Sequence, residues 1–198
     1  MTKAIVALGS LSLTTAVVVA LMSLGSLTLD VGWGRRLRPL GPLFVRIGAP
    51  RETVFDLIAV PYLSANPPAE LRRKIEVLER GTDMVVAAHR TKVGGITTIT
   101  VESVKFSRPD EVAFRLMRGP VPFVSERFSL REAEGGRTTE LQYSGELGTD
   151  LWALGEWWGN LVARYWEHTV DEALASLKRS AEALATRAAT RAAPAADA

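Results

Sequence analysis

Six consecutive runs of strand-forming residues are the strongest constraint on how this chain folds. They are rich in Val, Ile, Thr and Phe, and each ends at a short break that contains glycine or proline. Breaks of this length join antiparallel strands in hairpins. With one earlier run, we predict seven antiparallel strands at about 43–47, 74–80, 83–93, 96–107, 111–118, 122–133 and 137–147.

The residues after the last strand have the pattern of a long helix. Thr149 supplies a capping hydroxyl and Asp150 an acid in the first turn. A shorter helix is predicted after Pro50, and Pro61 together with the Asn66-Pro67-Pro68 turn is expected to stop its propagation. In the long helix, apolar residues recur with the helical period and predict a side that lies on the sheet: Leu151, Leu154, Trp158, Val162, Tyr165, Trp166, Thr169, Val170, Ala173 and Leu177.

The start of the chain has the pattern of a membrane anchor. Residues 4–29, between Lys3 and Asp30, carry no charge, and a helix of that length measures roughly 39 Å, which exceeds the roughly 30 Å hydrocarbon core. A cleaved signal peptide is the alternative, although its apolar region runs only about 7 to 15 residues. Arg35, Arg36 and Arg38 follow the segment and predict a single-pass membrane protein with its domain on the cytoplasmic side.

Composition divides the chain into four parts. We predict an anchor at 1–29, a glycine- and arginine-containing linker at 30–41, one folded domain at 42–181 and an alanine-rich flexible tail at 182–198.

Several functional classes lack their sequence patterns here. A net charge of +2 with balanced signs gives no reason to expect nucleic-acid binding. The chain has no cysteine, and His89 and His168 do not have metal-ligand spacing, so we expect no metal site. No glycine-rich nucleotide loop or serine elbow is present, and we predict neither a cofactor nor a catalytic motif.

Three passages resemble the START-like, or SRPBCC (polyketide cyclase/dehydrase), superfamily: VRIGAPRETVFDLIAVPYLSANP, FRLMRGPVPFVSERFSLRE and YSGELGTDLWALGEWWGNLVARYWEHTVDEALASLKRSAE. The resemblance covers about residues 42–181 and rests on element order. It implies an α+β helix-grip fold, in which a curved antiparallel sheet wraps around the C-terminal helix. It also implies an apolar cavity for lipids, polyketides or similar molecules. No catalytic residue of a family member matches a position here.

Glu126 is the main polar candidate for the interior. Strand alternation places it on the inward face with Phe128, and places Arg118 on one face with Phe114. The hairpin between these strands predicts an ion pair of Arg118 with Glu126 at the cavity mouth, because an unpaired buried charge is costly. A lone buried Glu126 would instead have a raised pKa and could act as an acid or base.

Gly155 and Gly159 are expected on the buried side of the long helix. Glycine inside a helix costs about 1 kcal/mol relative to alanine. Either the helix approaches the sheet closely, or the missing side chains leave ligand space beneath Trp158, Val162 and Trp166. Close packing is the commoner reason, and both can hold in a cavity fold.

Three functional hypotheses follow. The first is a membrane-anchored module that binds or carries a hydrophobic small molecule or lipid. The second is a cyclase- or dehydratase-type enzyme using Glu126, Arg118, His89 or Tyr143. The third is an interaction module that uses the exposed Trp157 to contact a partner or membrane interface. The predicted ligand-binding residues are Phe114, Arg118, Glu126, Phe128, Tyr143, Gly155, Trp158, Gly159, Val162 and Trp166.

Overall fold

The computed structural model describes the backbone of residues 2–93 and 95–192, and the side chains of residues 13–93 and 95–191. The elements in chain order are α1 (Thr2–Ser23), β1 (Arg36–Ile47), α2 (Arg51–Leu63), α3 (Ala69–Lys74), β2 (Ile75–Arg80), β3 (Met84–Val93), β4 (Ile96–Ser107), β5 (Glu111–Arg118), β6 (Phe123–Ala133), β7 (Thr138–Thr149) and α4 (Trp152–Ala192).

The described strands form one curved antiparallel sheet in the order β1-β7-β6-β5-β4-β3-β2. From β2 to β7 each strand pairs with the next in sequence. Strand β1 pairs with β7 and lies at the end of the order opposite β2. Helix α4 packs across β1 and β7, and α2 packs beside α4. The predicted helix-grip arrangement of a seven-stranded sheet and a long C-terminal helix is therefore confirmed for the described chain.

The core lies between the inner face of the sheet and the two helices α2 and α4. Phe55 of α2, Tyr143 of β7 and Leu174 of α4 are almost fully buried there. Helix α2 continues through Pro61 and ends at Leu63, so it stops between the proline and the turn that were predicted to end it. Proline removes one backbone donor, and here the loss occurs in the last turn.

Helix α4 starts later than predicted, and part of its predicted buried stripe is exposed. Leu151 and Trp152 have positive φ angles of 69° and 49°, so the helix begins only at Trp152. Leu154 and Tyr165, which were assigned to the buried stripe, are exposed. The helix approaches the sheet through its small residues, and its buried face consists of Gly155, Gly159, Val162, Ala163, Val170, Leu174 and Ala181.

The predicted anchor over residues 4–29 differs from the observed N-terminal segment. Helix α1 ends at Ser23, because the residues that follow bind the domain. The N–H of Ile99 donates to the carbonyl of Leu24 (3.0 Å), and Thr28 Oγ1 donates to the carbonyl of Gly119 (2.7 Å). We call residues 24–34 the strap. The side chains of residues 4–12 lie outside the described residues, and no helix within the described ranges has the length and apolar character needed to cross a membrane.

The boundaries of the predicted linker and tail also differ from the structure. Strand β1 begins at Arg36, inside the predicted linker 30–41, and its first residues pair with β7. Helix α4 extends through most of the predicted flexible tail to Ala192. Alanine has the highest helix propensity, and Glu182 binds the N–H of Gly48 (3.1 Å) at the start of this segment. Residues 193–198 lie outside the described residues.

Candidate functional site

Glu126 is a buried carboxyl group on the inner face of the sheet. It lies opposite Gly145 of β7, and only 8% of its surface is exposed. Tyr143 Oη donates a hydrogen bond to Glu126 Oε2 (2.6 Å), and Trp166 Nε1 of α4 donates to the same oxygen (2.7 Å). A Cβ on Gly145 would lie 2.7 Å from that of Glu126, so the glycine makes room for this cluster. We call Glu126, Tyr143 and Trp166 the Glu126 cluster.

The second oxygen of Glu126, Oε1, has no hydrogen-bond partner among the described residues. Burial, followed by repulsion from the carboxylate of Glu102, raises the pKa of Glu126 to about 7. The hydrogen bonds from Tyr143 and Trp166 oppose this rise. Both protonation states are therefore populated at neutral pH, and Oε1 can accept or donate a hydrogen bond.

The predicted ion pair between Arg118 and Glu126 is wrong. Arg118 is exposed, and its cross-strand partner is Val101 of β4. The pairing skips Met117, because Leu116 pairs with Glu102 and Arg118 with Val101. This bulge breaks the alternation on which the prediction depended. Glu126 is instead stabilised by Tyr143 and Trp166.

A second polar cluster occupies the inner face of β3 and β4. His89 Nδ1 lies 2.9 Å from Glu102 Oε2, and its Nε2 lies 3.0 Å from Tyr62 Oη. Thr100 Oγ1 donates to Glu102 Oε1 (2.6 Å). We call these four residues the His89 cluster. Their side chains form one hydrogen-bonded chain from α2 to β4.

The pKa values of the His89 cluster diverge in the directions expected of an ion pair. Burial acts to lower the pKa of His89, but the charge and hydrogen bond of Glu102 outweigh it, and the pKa rises. Burial likewise acts to raise the pKa of Glu102, but His89 outweighs it, and that pKa falls. Burial, followed by the charge of Glu102, raises the pKa of Tyr62, which keeps its hydroxyl protonated.

Aromatic rings connect the two clusters. The rings of Phe114 and Phe128 meet edge to face at 5.5 Å, and Phe128 lies 5.5 Å from Tyr143. On the other side, Phe114 lies 6.1 Å from Tyr62. Phe128 and Trp166 are only half-buried although they belong to inward surfaces. The polar groups therefore border an apolar wall whose surface is not completely covered.

The two glycines of α4 serve close packing. A Cβ on Gly155 would lie 1.6 Å from the carbonyl oxygen of Asp150, and one on Gly159 would lie 3.0 Å from the side chain of Thr149. Two interpretations of these glycines were left open, close packing and ligand space. The structure supports close packing of the helix backbone. The neighbouring Trp158 binds the carbonyl of Pro120 through Nε1 (2.8 Å), and Val162 is buried in the core.

The structure therefore gathers five of the predicted ligand-binding residues around one point: Phe114, Glu126, Phe128, Tyr143 and Trp166. Sequence reasoning missed Tyr62, Thr100 and Glu102. Alternation on β4 places Thr100, Glu102 and Val104 on one face, which was an available signal for an inward carboxylate.

The second histidine of the chain lies away from these clusters. His168 is exposed and lies 3.5 Å from Glu172.

A separate open groove lies outside the grip. Its volume is about 880 Å³, and it runs between the end of α1 and the tip of the β3–β4 hairpin. Its described lining consists of Thr15, Ala16, Val19, Ala20, Ser23, Leu24 and Ile96. It does not border Glu126.

Comparisons with known proteins agree with the fold. Residues 43–182 match the family model described as polyketide cyclase / dehydrase and lipid transport. The chain is similar to the crystal structure of the Zhui aromatase/cyclase from a Streptomyces species, with 18% identity, a TM-score of 0.60 and coverage of 75% of this chain and 94% of that one.

Two further solved structures are similar. A Thermus thermophilus protein has 17% identity and a TM-score of 0.56, with coverage of 75% of this chain and 99% of that one. A START superfamily protein from Mycobacterium smegmatis has 16% identity and a TM-score of 0.52, with coverage of 75% and 98%. No curated protein matches the sequence.

Proposed function

This chain belongs to the polyketide cyclase / dehydrase and lipid transport family, and we propose that its interior binds a neutral hydrophobic small molecule whose polar group contacts Glu126. The observation that carries the proposal is the partner-free Oε1 of a buried carboxyl group among the described residues. Oε1 is not among the fully buried side-chain atoms that lack a partner, so it borders space that a ligand can enter. A ligand hydroxyl could donate to the ionised oxygen, and a ligand carbonyl could accept from the protonated one.

The charges of the two clusters favour a neutral ligand. Glu102 and Glu126 face the same interior, and the charge of Glu102 contributes to the raised pKa of Glu126. His89 supplies the opposing charge: it is bound to Glu102, and it acts to lower the pKa of Glu126. An anionic ligand would meet like charge at Glu126 in a medium of low dielectric constant. A phenol, alcohol or ketone with an apolar body has no such penalty.

Binding of matched probes tests this proposal. Naphthol and naphthoate share one apolar body and differ in charge, so we expect the full-length protein to bind naphthol and to reject naphthoate. Glu126→Leu should abolish naphthol binding, while the exposed Glu140→Gln should leave it unchanged. Equal binding of both probes, or binding that survives Glu126→Leu, would count against an interior site at Glu126.

Native purification provides the second test. Mass spectrometry of small molecules that co-purify with the protein should find a neutral apolar compound, depleted in the Glu126→Leu variant. Recovery of the same compounds with both proteins would mean that they bind elsewhere.

A second candidate function is acid–base catalysis on the bound molecule. It is favoured by the pKa of about 7 for Glu126, which suits a group that takes up and returns a proton near neutral pH. The step would transfer a proton from the carbon beside a ketone to Oε1, with the electron pair moving into the enolate. Deuterium incorporation into tetralone in heavy water, lost in Glu126→Gln, is the expected result. Exchange at the rate of the protein-free solution would reject catalysis and leave binding intact.

The membrane tether is a further part of the proposal. The described side chains of α1 include the exposed Leu13, Val17, Val19 and Leu21, and a tethered domain would meet membrane-soluble ligands at high local concentration. The full-length protein should resist extraction from membranes by carbonate. Val17→Arg with Leu21→Arg should release it, and release of the unaltered protein would overturn the tether.

A further inference from the structure

Exposed apolar side chains of the strap and the first turns of α4 lie side by side. Trp33 is 72% exposed, Leu154 66% and Trp157 64%. The N–H of Leu151 donates to the carbonyl of Trp33 (2.7 Å), and the N–H of Leu154 donates to that of Leu151 (3.2 Å). We define the tryptophan face as Trp33, Leu151, Trp152, Leu154 and Trp157. It joins two segments that are remote in sequence.

The tryptophan face continues along α4. Half-buried Leu161 and exposed Tyr165 follow Trp157 at four-residue spacing, which keeps them on one side of the helix. This side points away from the buried residues Gly159 and Val162. Helix α4 is thus apolar on two sides, and only one of them packs on the sheet.

The charges around the tryptophan face leave a positive edge. Arg35 binds both Asp30 and Asp150, and Arg36 binds Glu156. Arg38 and Arg164 both bind Asn160 at the border of the face, through its side-chain and backbone oxygens respectively. Neither has a carboxylate partner among the described residues, so their charges are not neutralised there.

These features together match a lipid surface. Tryptophan and tyrosine favour the membrane–water interface, since they have an apolar body and a polar group. Arginines beside such residues attract anionic headgroups. The strap also connects the face directly to α1, whose described end exposes Val17 and Leu21.

We propose that the tryptophan face docks on the surface of a lipid bilayer, with Arg38 and Arg164 against anionic headgroups. The face lies on the helix that also carries Trp158 and Trp166, the latter bound to Glu126. Docking would therefore hold the grip with its α4 side towards the lipid. This inference goes beyond ligand binding and stands without it.

Fluorescence quenching tests the docking in the full-length protein. The chain has five tryptophans, of which Trp33, Trp152 and Trp157 belong to the face. Vesicles would contain phosphatidylcholine with about one third phosphatidylglycerol, and brominated phosphatidylcholine would serve as quencher. We expect the brominated lipid to quench the tryptophan emission of the unaltered protein. It should not quench the emission that remains in a variant with Trp33→Phe, Trp152→Phe and Trp157→Phe. An unquenched protein, or equal fractional quenching of both, would overturn the proposal.

Matched variants identify the surface and its charges. Leu154→Ser should weaken quenching, whereas Leu184→Ser, an exposed leucine further along the same helix, should not. Arg38→Gln with Arg164→Gln should remove the dependence on phosphatidylglycerol, whereas Arg187→Gln should retain it. Protection of the tryptophans from acrylamide without quenching by lipid would mean a protein contact, and would reject the bilayer. Naphthol binding is measured separately, so failure of either proposal leaves the other testable.

Discussion

Tyr143 donates a 2.6 Å hydrogen bond to Glu126 across neighbouring strands, although the residue that pairs with Glu126 is Gly145. The contact is diagonal, and it depends on the absence of a side chain at Gly145. It places a hydroxyl donor against one oxygen of a carboxyl group whose other oxygen stays available. The sheet itself thus orients Glu126 before any ligand arrives.

Removing this donor should raise the pKa of Glu126 above its value of about 7, because the hydrogen bond from Tyr143 lowers it. The change is Tyr143→Phe, which retains the ring in the core. Carbon NMR of the labelled carboxyl group would follow the titration. Trp166→Phe should act in the same direction, whereas an unchanged pKa in both variants would contradict the geometry of the Glu126 cluster.

Glu126→Gln should make the protein more stable at alkaline pH. The folded-state pKa of about 7 exceeds the ordinary value of 4.5, so the folded protein binds the proton more tightly than the unfolded chain does. The free energy of unfolding therefore falls as the pH rises between these values, by on the order of 3 kcal/mol. Urea denaturation at several pH values should show that this loss is absent in Glu126→Gln. Glu140→Gln, on an exposed carboxylate, should follow the unaltered protein.

The His89–Glu102 pair should stabilise the fold most between about pH 4.5 and 6.5. The raised pKa of His89 gives stability that is present below 6.5 and is lost as the pH rises through the folded value. The lowered pKa of Glu102 gives stability that is present above 4.5 and is lost as the pH falls through the folded value. His89→Gln leaves Glu102 buried without its partner, which costs about 3 to 5 kcal/mol.

The neighbouring residue Arg90 provides the control for His89. Its ion pair with Glu76 is exposed, and exposed pairs contribute only about 0 to 1 kcal/mol. Arg90→Gln should therefore unfold at nearly the same urea concentration as the unaltered protein. Equal decreases in the free energy of unfolding in His89→Gln and Arg90→Gln would mean that the buried pair stabilises the fold no more than an exposed pair does.

Strand periodicity in the sequence was sufficient to predict the sheet and the inward position of Glu126, because both depend on local alternation. The same periodicity failed at Arg118, because the bulge at Met117 changes which face of the sheet the next side chain lies on. On α4 the helical pattern placed Gly155 and Gly159 correctly on the buried side, but hydropathy also assigned Leu154 to that side, and this side chain is exposed. The His89 cluster joins α2, β3 and β4, and contacts of such long range leave only a partial pattern in any one segment.

Gly155→Ala should destabilise the protein more than Gly159→Ala. The added Cβ at Gly155 would overlap the backbone oxygen of Asp150 at 1.6 Å, so the start of α4 must move, at a cost of about 1 to 3 kcal/mol or more. At Gly159 the nearest atoms belong to a side chain at 3.0 Å, and the better helix propensity of alanine offsets about 1 kcal/mol. Thermal unfolding would rank the two. A neutral effect at Gly155 would revive the interpretation that the glycine leaves ligand space.

Asp150 should hold the strap on the domain. Its Oδ2 accepts hydrogen bonds from the N–H groups of Val31 and Gly32, both at 2.8 Å, and Arg35 Nε donates to its Oδ1 at 2.7 Å. The hydrogen bond from Arg35 is the largest cause of the lowered pKa of Asp150. Asp150 is therefore charged at neutral pH, and its contacts with the strap weaken as the pH falls through that lowered value.

Asp150→Asn removes the charge and turns one acceptor into a donor that faces donors. Amide hydrogen exchange at Val31 and Gly32 should then accelerate, while Asp30→Asn, which removes only the outer partner of Arg35, should change it little. Equal exchange in the two variants would show that the strap is held by its other contacts, at Leu24 and Thr28.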